Sequence, residues 1–152
     1  MKKKVAINGF GRIGRLVYRA FLERLNEFSN QYEISYINDL ADIDSNIHLL
    51  KYDSIHGPLN MEVNKISNEQ FSTGENTVTV TSEKNPIDLK WRDKKVDIIL
   101  ECTGVFASKE KAMSHIESGA SKVIVSAPCS GADITVVQGV NNKNINIDHQ
   151  II

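Results

Sequence analysis

Asn8-Gly9-Phe10-Gly11-Arg12-Ile13-Gly14-Arg15 decides the fold of this chain. It follows Val5-Ala6-Ile7, an apolar run of strand type, and opens a segment of helical periodicity, so its glycines fall in a strand-to-helix turn. Such a turn aims free backbone amides and the positive end of a helix dipole at whatever sits above it, which suits a phosphate. In a dinucleotide-binding turn the glycines divide the work: Gly9 allows the tight turn, Gly11 lets the backbone approach a pyrophosphate, and Gly14 lets the helix pack closely on the strand.

Working outward, Ile13, Leu16, Val17, Ala20, Phe21, Leu25 and Phe28 form an apolar stripe with the period of a helix lying on a sheet, with Arg12, Arg15, Arg19 and Glu23 on other faces. Glu33 to Ile37 alternates as a second strand, which completes a βαβ unit with parallel strands and a right-handed crossover. That strand ends in Asn38-Asp39, and Asp39 lies 25 residues beyond Gly14. A carboxylate near that spacing accepts from the 2′ hydroxyl of an adenosine ribose and repels a 2′ phosphate. After Asp39 no Arg or Lys occurs before Lys51, so NAD is expected over NADP. The competing reading is that Asp39 caps the next helix, expected between Ser45 and Tyr52 with Ile47 and Leu50 inward.

From Leu59 to Thr81 the pattern shortens to alternating runs around Met61, Val63, Val78 and Val80, with Ser72 to Asn76 as a turn. This predicts an antiparallel meander inserted in a parallel sheet. Leu89 and Trp91 are expected on one face of a short extended piece. Val96 to Cys102 reads as a strand covered on both sides, and it ends in Thr103-Gly104, where a ligand of an open α/β sheet sits. Ser108 is the expected cap of a helix ending at Gly119, Lys122 to Val125 the next strand, and Ile134 to Val140 another. Ile151 and Ile152 are apolar at the chain end, so the chain is expected to stop while entering further structure.

At 152 residues with a formal net charge of -1, the chain fits one α/β domain, taken as residues 1–152, and carries no bulk charge for nucleic acid or an anionic membrane. The basic start Met1 to Lys4 lacks the apolar stretch of a secretion signal, and no run approaches the ~20 residues that span a bilayer. Cys102 and Cys129 form no disulfide framework and no metal site, which points to reduced thiols and the cytoplasm. His48 and His56 have no partner carboxylate or cysteine at a recognisable interval and read as structural or exposed.

Together with the glycine turn and Asn38-Asp39, the runs Tyr52-Asp53-Ser54 with His56-Gly57, Glu101-Cys102-Thr103-Gly104-Val105-Phe106, Ser126-Ala127-Pro128 and Gly139-Val140-Asn141 occur in the order found in glyceraldehyde-3-phosphate dehydrogenase. The chain resembles the amino-terminal cofactor domain of the bacterial members over its whole length. The resemblance implies a Rossmann-type doubly wound, mostly parallel sheet that binds NAD. It implies cofactor contacts at Gly9, Phe10, Gly11, Arg12, Ile13, Gly14, Asn38, Asp39, Thr103, Gly104 and Ser126, with Lys84 near the adenine where many members have Arg. It further implies, for a full-length enzyme, oxidation of glyceraldehyde 3-phosphate with inorganic phosphate through a cysteine thioester, in a homotetramer.

The family's nucleophilic cysteine and its base histidine match positions beyond Ile152, and neither Cys102 nor Cys129 aligns with that nucleophile. The chain by itself is therefore expected to bind NAD and not to turn over. It is also expected to expose an apolar patch where the family's carboxy-terminal helix packs back. Two other readings remain: the cofactor domain of erythrose-4-phosphate dehydrogenase, and a stand-alone NAD-sensing module.

Overall fold

The computed structural model describes residues 2–152; Met1, the first residue of the basic start, lies outside the described residues. Strand β1 (Lys3–Asn8) runs into the glycine turn and helix α1 (Arg12–Glu23), followed by a single turn, α2 (Leu25–Phe28), and β2 (Tyr32–Asn38). Helix α3 (Ile43–Lys51) leads to a two-stranded hairpin of β3 (Tyr52–Asp53) and β4 (Gly57–Pro58), a small sheet of its own. The meander follows as β5 (Val63–Lys65), β6 (Gln70–Thr73) and β7 (Asn76–Thr81). A 3-10 turn (Pro86–Leu89) and α4 (Trp91–Lys94) precede β8 (Ile98–Glu101), α5 (Lys109–Glu117), β9 (Lys122–Val125) and a last 3-10 turn (Asn142–Asn144).

The main sheet has seven strands in the order β5-β6-β7-β2-β1-β8-β9. β1 pairs in parallel with both β2 and β8, β2 with β7 and β8 with β9, while β6 runs antiparallel to both of its neighbours, β5 and β7. The expected parallel sheet with an inserted meander is thus the observed one. Alternation along the strands sorts the core into two layers. Val5, Ile7, Ile34 and Ile37 meet Tyr18 and Leu22 of α1 and Ile43, Ile47 and Leu50 of α3 on one face. Ala6, Ile99 and Val123 meet Leu89, Trp91 and Ala112 on the other.

Several expectations give way to longer-range packing. Helix α1 turns Tyr18, Arg19 and Leu22 inward instead of the Leu16, Val17 and Ala20 face, and Ile13 is 48% exposed. Tyr18 packs edge-on against Phe10 and Phe71 and shares a 2.6 Å hydrogen bond with Thr73; burial pushes its phenol up to about 12. Arg19 is buried because its guanidinium donates to the carbonyls of Leu50, Lys51 and Gly57, at the carboxyl end of α3 and in the hairpin. Leu89 and Trp91 are both fully buried, but on helical turns, since Lys90 in the left-handed region breaks the chain direction between them.

Residues 134–140 form no strand. The edge position beside β9 is taken instead by residues 150–152, with Val123 donating to the Gln150 carbonyl and Ile152 to that of Val123. Ile151 is consequently fully buried, and residues 150–152 lie paired along the β9 edge. Asp133 secures this arrangement by accepting from the amides of Gln150 and Ile151 and from Lys109. Those donors hold its carboxyl down, at about 2.

On the α1 face, the part of the sheet over β8 and β9 carries no helix among the described residues. Val5, Val17, Phe21, Ile98, Leu100 and Ile124 line an apolar groove of about 450 Å³ there. No helix among the described residues is long and apolar enough to cross a membrane.

Because the folded pKa of Asp133 lies below its unfolded value, its stabilisation is present above about pH 4 and is lost as pH falls through about 2. Replacing Asp133 by Asn is expected to cost about 1 kcal/mol near neutral pH and to flatten the acid limb of the stability curve, measured by urea unfolding across pH.

Candidate functional site

The chain crosses the sheet from β7 back to β8, so β1 and β8 are neighbours whose connections leave in opposite directions. Ligands of open α/β sheets bind beyond the strand ends at such a switch point. There a cleft of about 410 Å³ opens, with Asn8, Gly9 and Gly11 along one wall, Cys102, Thr103, Val105 and Phe106 along another, and Asn38, Asp39, Leu40, Glu83 and Lys84 at the far end.

Gly9 and Gly14 are required by sterics. Gly9 has φ +90°, and a Cβ on it would stand 2.8 Å from the Thr103 amide nitrogen. A Cβ on Gly14 would stand 2.1 Å from the Gly9 carbonyl oxygen, so the first turn of α1 lies flat on the strand end. Around Gly11 no atom comes within 4 Å of a Cβ position, which leaves the backbone open to a ligand. The start of α1 has no side-chain cap, whereas α3 and α5 are capped by Asp42 and Ser108. Its first amides are therefore left with no partner among the described residues, and they fit an anionic group.

Asp39 is half-buried at the end of β2 and does not cap α3; that task falls to Asp42, which accepts from the Ser45 amide at 2.8 Å. Its carboxylate accepts instead from the Phe10 amide at 2.6 Å and the Ala41 amide at 2.9 Å, and so is held against the glycine turn with lone pairs to spare. Arg12, at the lip of the turn, pairs with Asp53 at 3.2 Å. Asp53 also accepts from the amides of Ile55 and His56 and from His56 Nδ1, which together depress its carboxyl well below the usual range. His56 is exposed as expected, yet it does have a carboxylate partner, three residues before it.

Of the residues singled out from the sequence, the cleft gathers Gly9, Gly11, Asn38, Asp39, Lys84 and Thr103. Phe10 is buried beneath it and contributes only its amide; Gly14 is buried in the turn; Arg12, Ile13 and Gly104 sit exposed at its margin. Ser126 lines a separate depression with Ala127, Pro128 and Cys129. Sequence reasoning misses Glu101, which is bonded to Asn8 of the cleft wall, and His115, which is bonded to Glu101. A carboxylate inside an otherwise apolar strand is the signal for Glu101. Burial pushes this carboxyl up, but donors from His115, Asn8 and Thr103 outweigh burial and leave it below its ordinary value. Burial raises both cysteine thiols, which is the wrong direction for a nucleophile.

Open amides on a glycine turn, with a carboxylate fixed one strand away, suit the pyrophosphate and ribose of a dinucleotide, and the class so defined is that of the NAD-binding domains. Residues 3–109 match the family described as glyceraldehyde 3-phosphate dehydrogenase, NAD binding domain. Among curated proteins, the chain is 45% identical over 152 residues to the glyceraldehyde-3-phosphate dehydrogenase of Xanthobacter flavus, covering all of this chain and 44% of that protein. It is 47% identical over 149 residues to the enzyme of Thermotoga maritima, covering 98% and 44%, and 47% over 141 residues to that of Geobacillus stearothermophilus, covering 93% and 40%. The chain belongs to the glyceraldehyde 3-phosphate dehydrogenase family, as its NAD-binding domain. It spans less than half the length of these relatives.

Gly14→Ala is expected to destabilise the chain by about 1–3 kcal/mol and to abolish NAD binding, because the clash is with backbone that has nowhere to move; denaturant unfolding and calorimetry measure the two effects.

Proposed function

We propose that this chain is the cofactor-holding part of a phosphorylating glyceraldehyde-3-phosphate dehydrogenase and that, alone, it binds NAD without turnover. The observation that carries the reading is the uncapped start of α1 beside Gly11, with Asp39 held against the same turn. The amides of Arg12, Ile13 and Gly14 would receive the pyrophosphate, with Arg12 contributing charge at the margin. Asp39 would accept from the adenosine ribose and disfavour a 2′ phosphate. Leu40, Glu83 and Lys84 would border the adenine, with the lysine unable to stack as a guanidinium plane would. Thr103 and Gly104 would line the cleft, and Ser126, near Cys102, would face the second ribose. When bound, NAD supplies the hydride acceptor.

In the whole protein we assign the oxidation of glyceraldehyde 3-phosphate with inorganic phosphate to a cysteine and a histidine outside residues 1–152. Cys102 and Cys129 are free thiols without an adjacent base, which suits the cytoplasm and argues against either as that nucleophile. The apolar groove on the α1 face is the surface we assign to the family's carboxy-terminal helix, and a homotetramer to the complete subunit.

Calorimetry on the chain is expected to show NAD binding well above NADP binding. Asp39→Ala should weaken NAD about tenfold and erase most of that preference, as expected for losing a charged hydrogen bond. NADH formation from glyceraldehyde 3-phosphate and phosphate should stay at background; appreciable turnover refutes the assignment of the chemistry elsewhere. A second outcome concerns the bare groove: light scattering should show self-association rising with concentration and suppressed by Phe21→Lys, whereas a clean monomer at high concentration counts against it.

A further inference from the structure

Beneath the floor of the cleft, buried polar side chains join across the ends of four strands. At one end Asn38 Oδ1 accepts from Thr81 Oγ1 at 3.0 Å and from the Glu83 amide at 2.8 Å, while Asn38 Nδ2 donates to the Glu83 carbonyl at 2.8 Å. The same amide group donates to Asn8 Oδ1 at 2.8 Å, and Asn8 Nδ2 donates to Glu101 Oε2 at 2.6 Å. At the other end Glu101 accepts from the Thr103 amide at 2.8 Å, from the Thr103 hydroxyl, and from His115 Nε2 at 2.9 Å. Trp91 Nε1 closes the series on His115 Nδ1 at 3.0 Å. Asn8, Asn38, Glu101 and His115 are all at least nine-tenths buried.

The direction of each bond follows from chemistry. An indole nitrogen can only donate, so His115 Nδ1 must accept and the ring proton sits on Nε2, aimed at Glu101. Glu101 is then an acceptor on every side. Asn8 has to present its NH₂ to Glu101 and its oxygen to Asn38, and only an amide does both. The two opposed rims of the cleft, Glu83 with Lys84 and Thr103 with Val105, are therefore gripped from below by Asn38 and Glu101, and these are bridged by one side chain.

We infer that Asn8 is a positioning residue: its amide, bridging Asn38 and Glu101, sets the spacing of the two cleft rims and thereby the affinity for NAD. The inference rests on reading the cleft as the NAD site. Besides the neutral Asn38 of β2, the groups facing Asn8 are Glu101 of β8 and His115 of α5, while Asp39, Glu83, Lys84 and Cys102 line the cleft above.

Asn8→Asp tests it, because Asp keeps the acceptor for Asn38 and sets an oxygen against Glu101. Two carboxyls that close share one proton, which replaces the lost donor; as pH rises the proton leaves and the bridge opens. By calorimetry on the whole chain, NAD affinity of the variant is expected to fall about tenfold from pH 6 to pH 9 while the wild type changes by less than about twofold. Should Asn8→Asp fail to fold, His115→Leu and His115→Gln serve, since His115 lies outside the cleft lining. Leu leaves Glu101 one donor short and should weaken NAD about fivefold; Gln restores an NH to Glu101 and should recover most of the loss. A pH-independent affinity in Asn8→Asp, or equal affinities in the two His115 variants, overturns the positioning role alone. Failure of the wild type to bind NAD at any of these pH values overturns the reading of the cleft and this inference with it.

Discussion

The contact between the Gly14 Cα and the Gly9 carbonyl is the constraint on which this structure turns. No side chain fits between the first turn of α1 and the end of β1, so the helix starts directly on the strand and its amides face the space above the sheet. Everything chemically useful is set relative to that point. Phe10 goes down into the core, its amide is left to catch Asp39, and Thr103 closes over Gly9 from β8.

The sheet converts this local constraint into a site. β1 lies between β2 and β8, and the three strand ends deliver Asn8, Asn38 and Glu101 to one level, where each is dry and each is paired. Buried polar groups are costly when any member lacks a partner, so the network fixes the level of the strand ends as well as using it. The apolar layers above and below supply stability; the polar row supplies register.

What can be read from the sequence is what repeats locally. The glycine turn, the strand ending at Asp39, the meander and the caps at Ser108 and Gly119 all depend on neighbours within a few residues, and those appear in the structure. What fails is decided by distant partners. Residues 134–140 have strand composition, but residues 150–152 reach the β9 edge first, anchored by Asp133. Arg19 looks like a surface residue until the carbonyls of Leu50, Lys51 and Gly57 converge on it. Glu101 is visible as an oddity, a charge within an apolar strand, but two of its partners, Asn8 and His115, lie 93 and 14 residues away on another strand and on a helix.

Arg19 carries one more consequence. The planar fork of a guanidinium spreads over several oxygens at once. The fastening of α1 to the tail of α3 and to the small hairpin thus runs from one side chain to three main-chain oxygens, and these three pieces should travel as a single body.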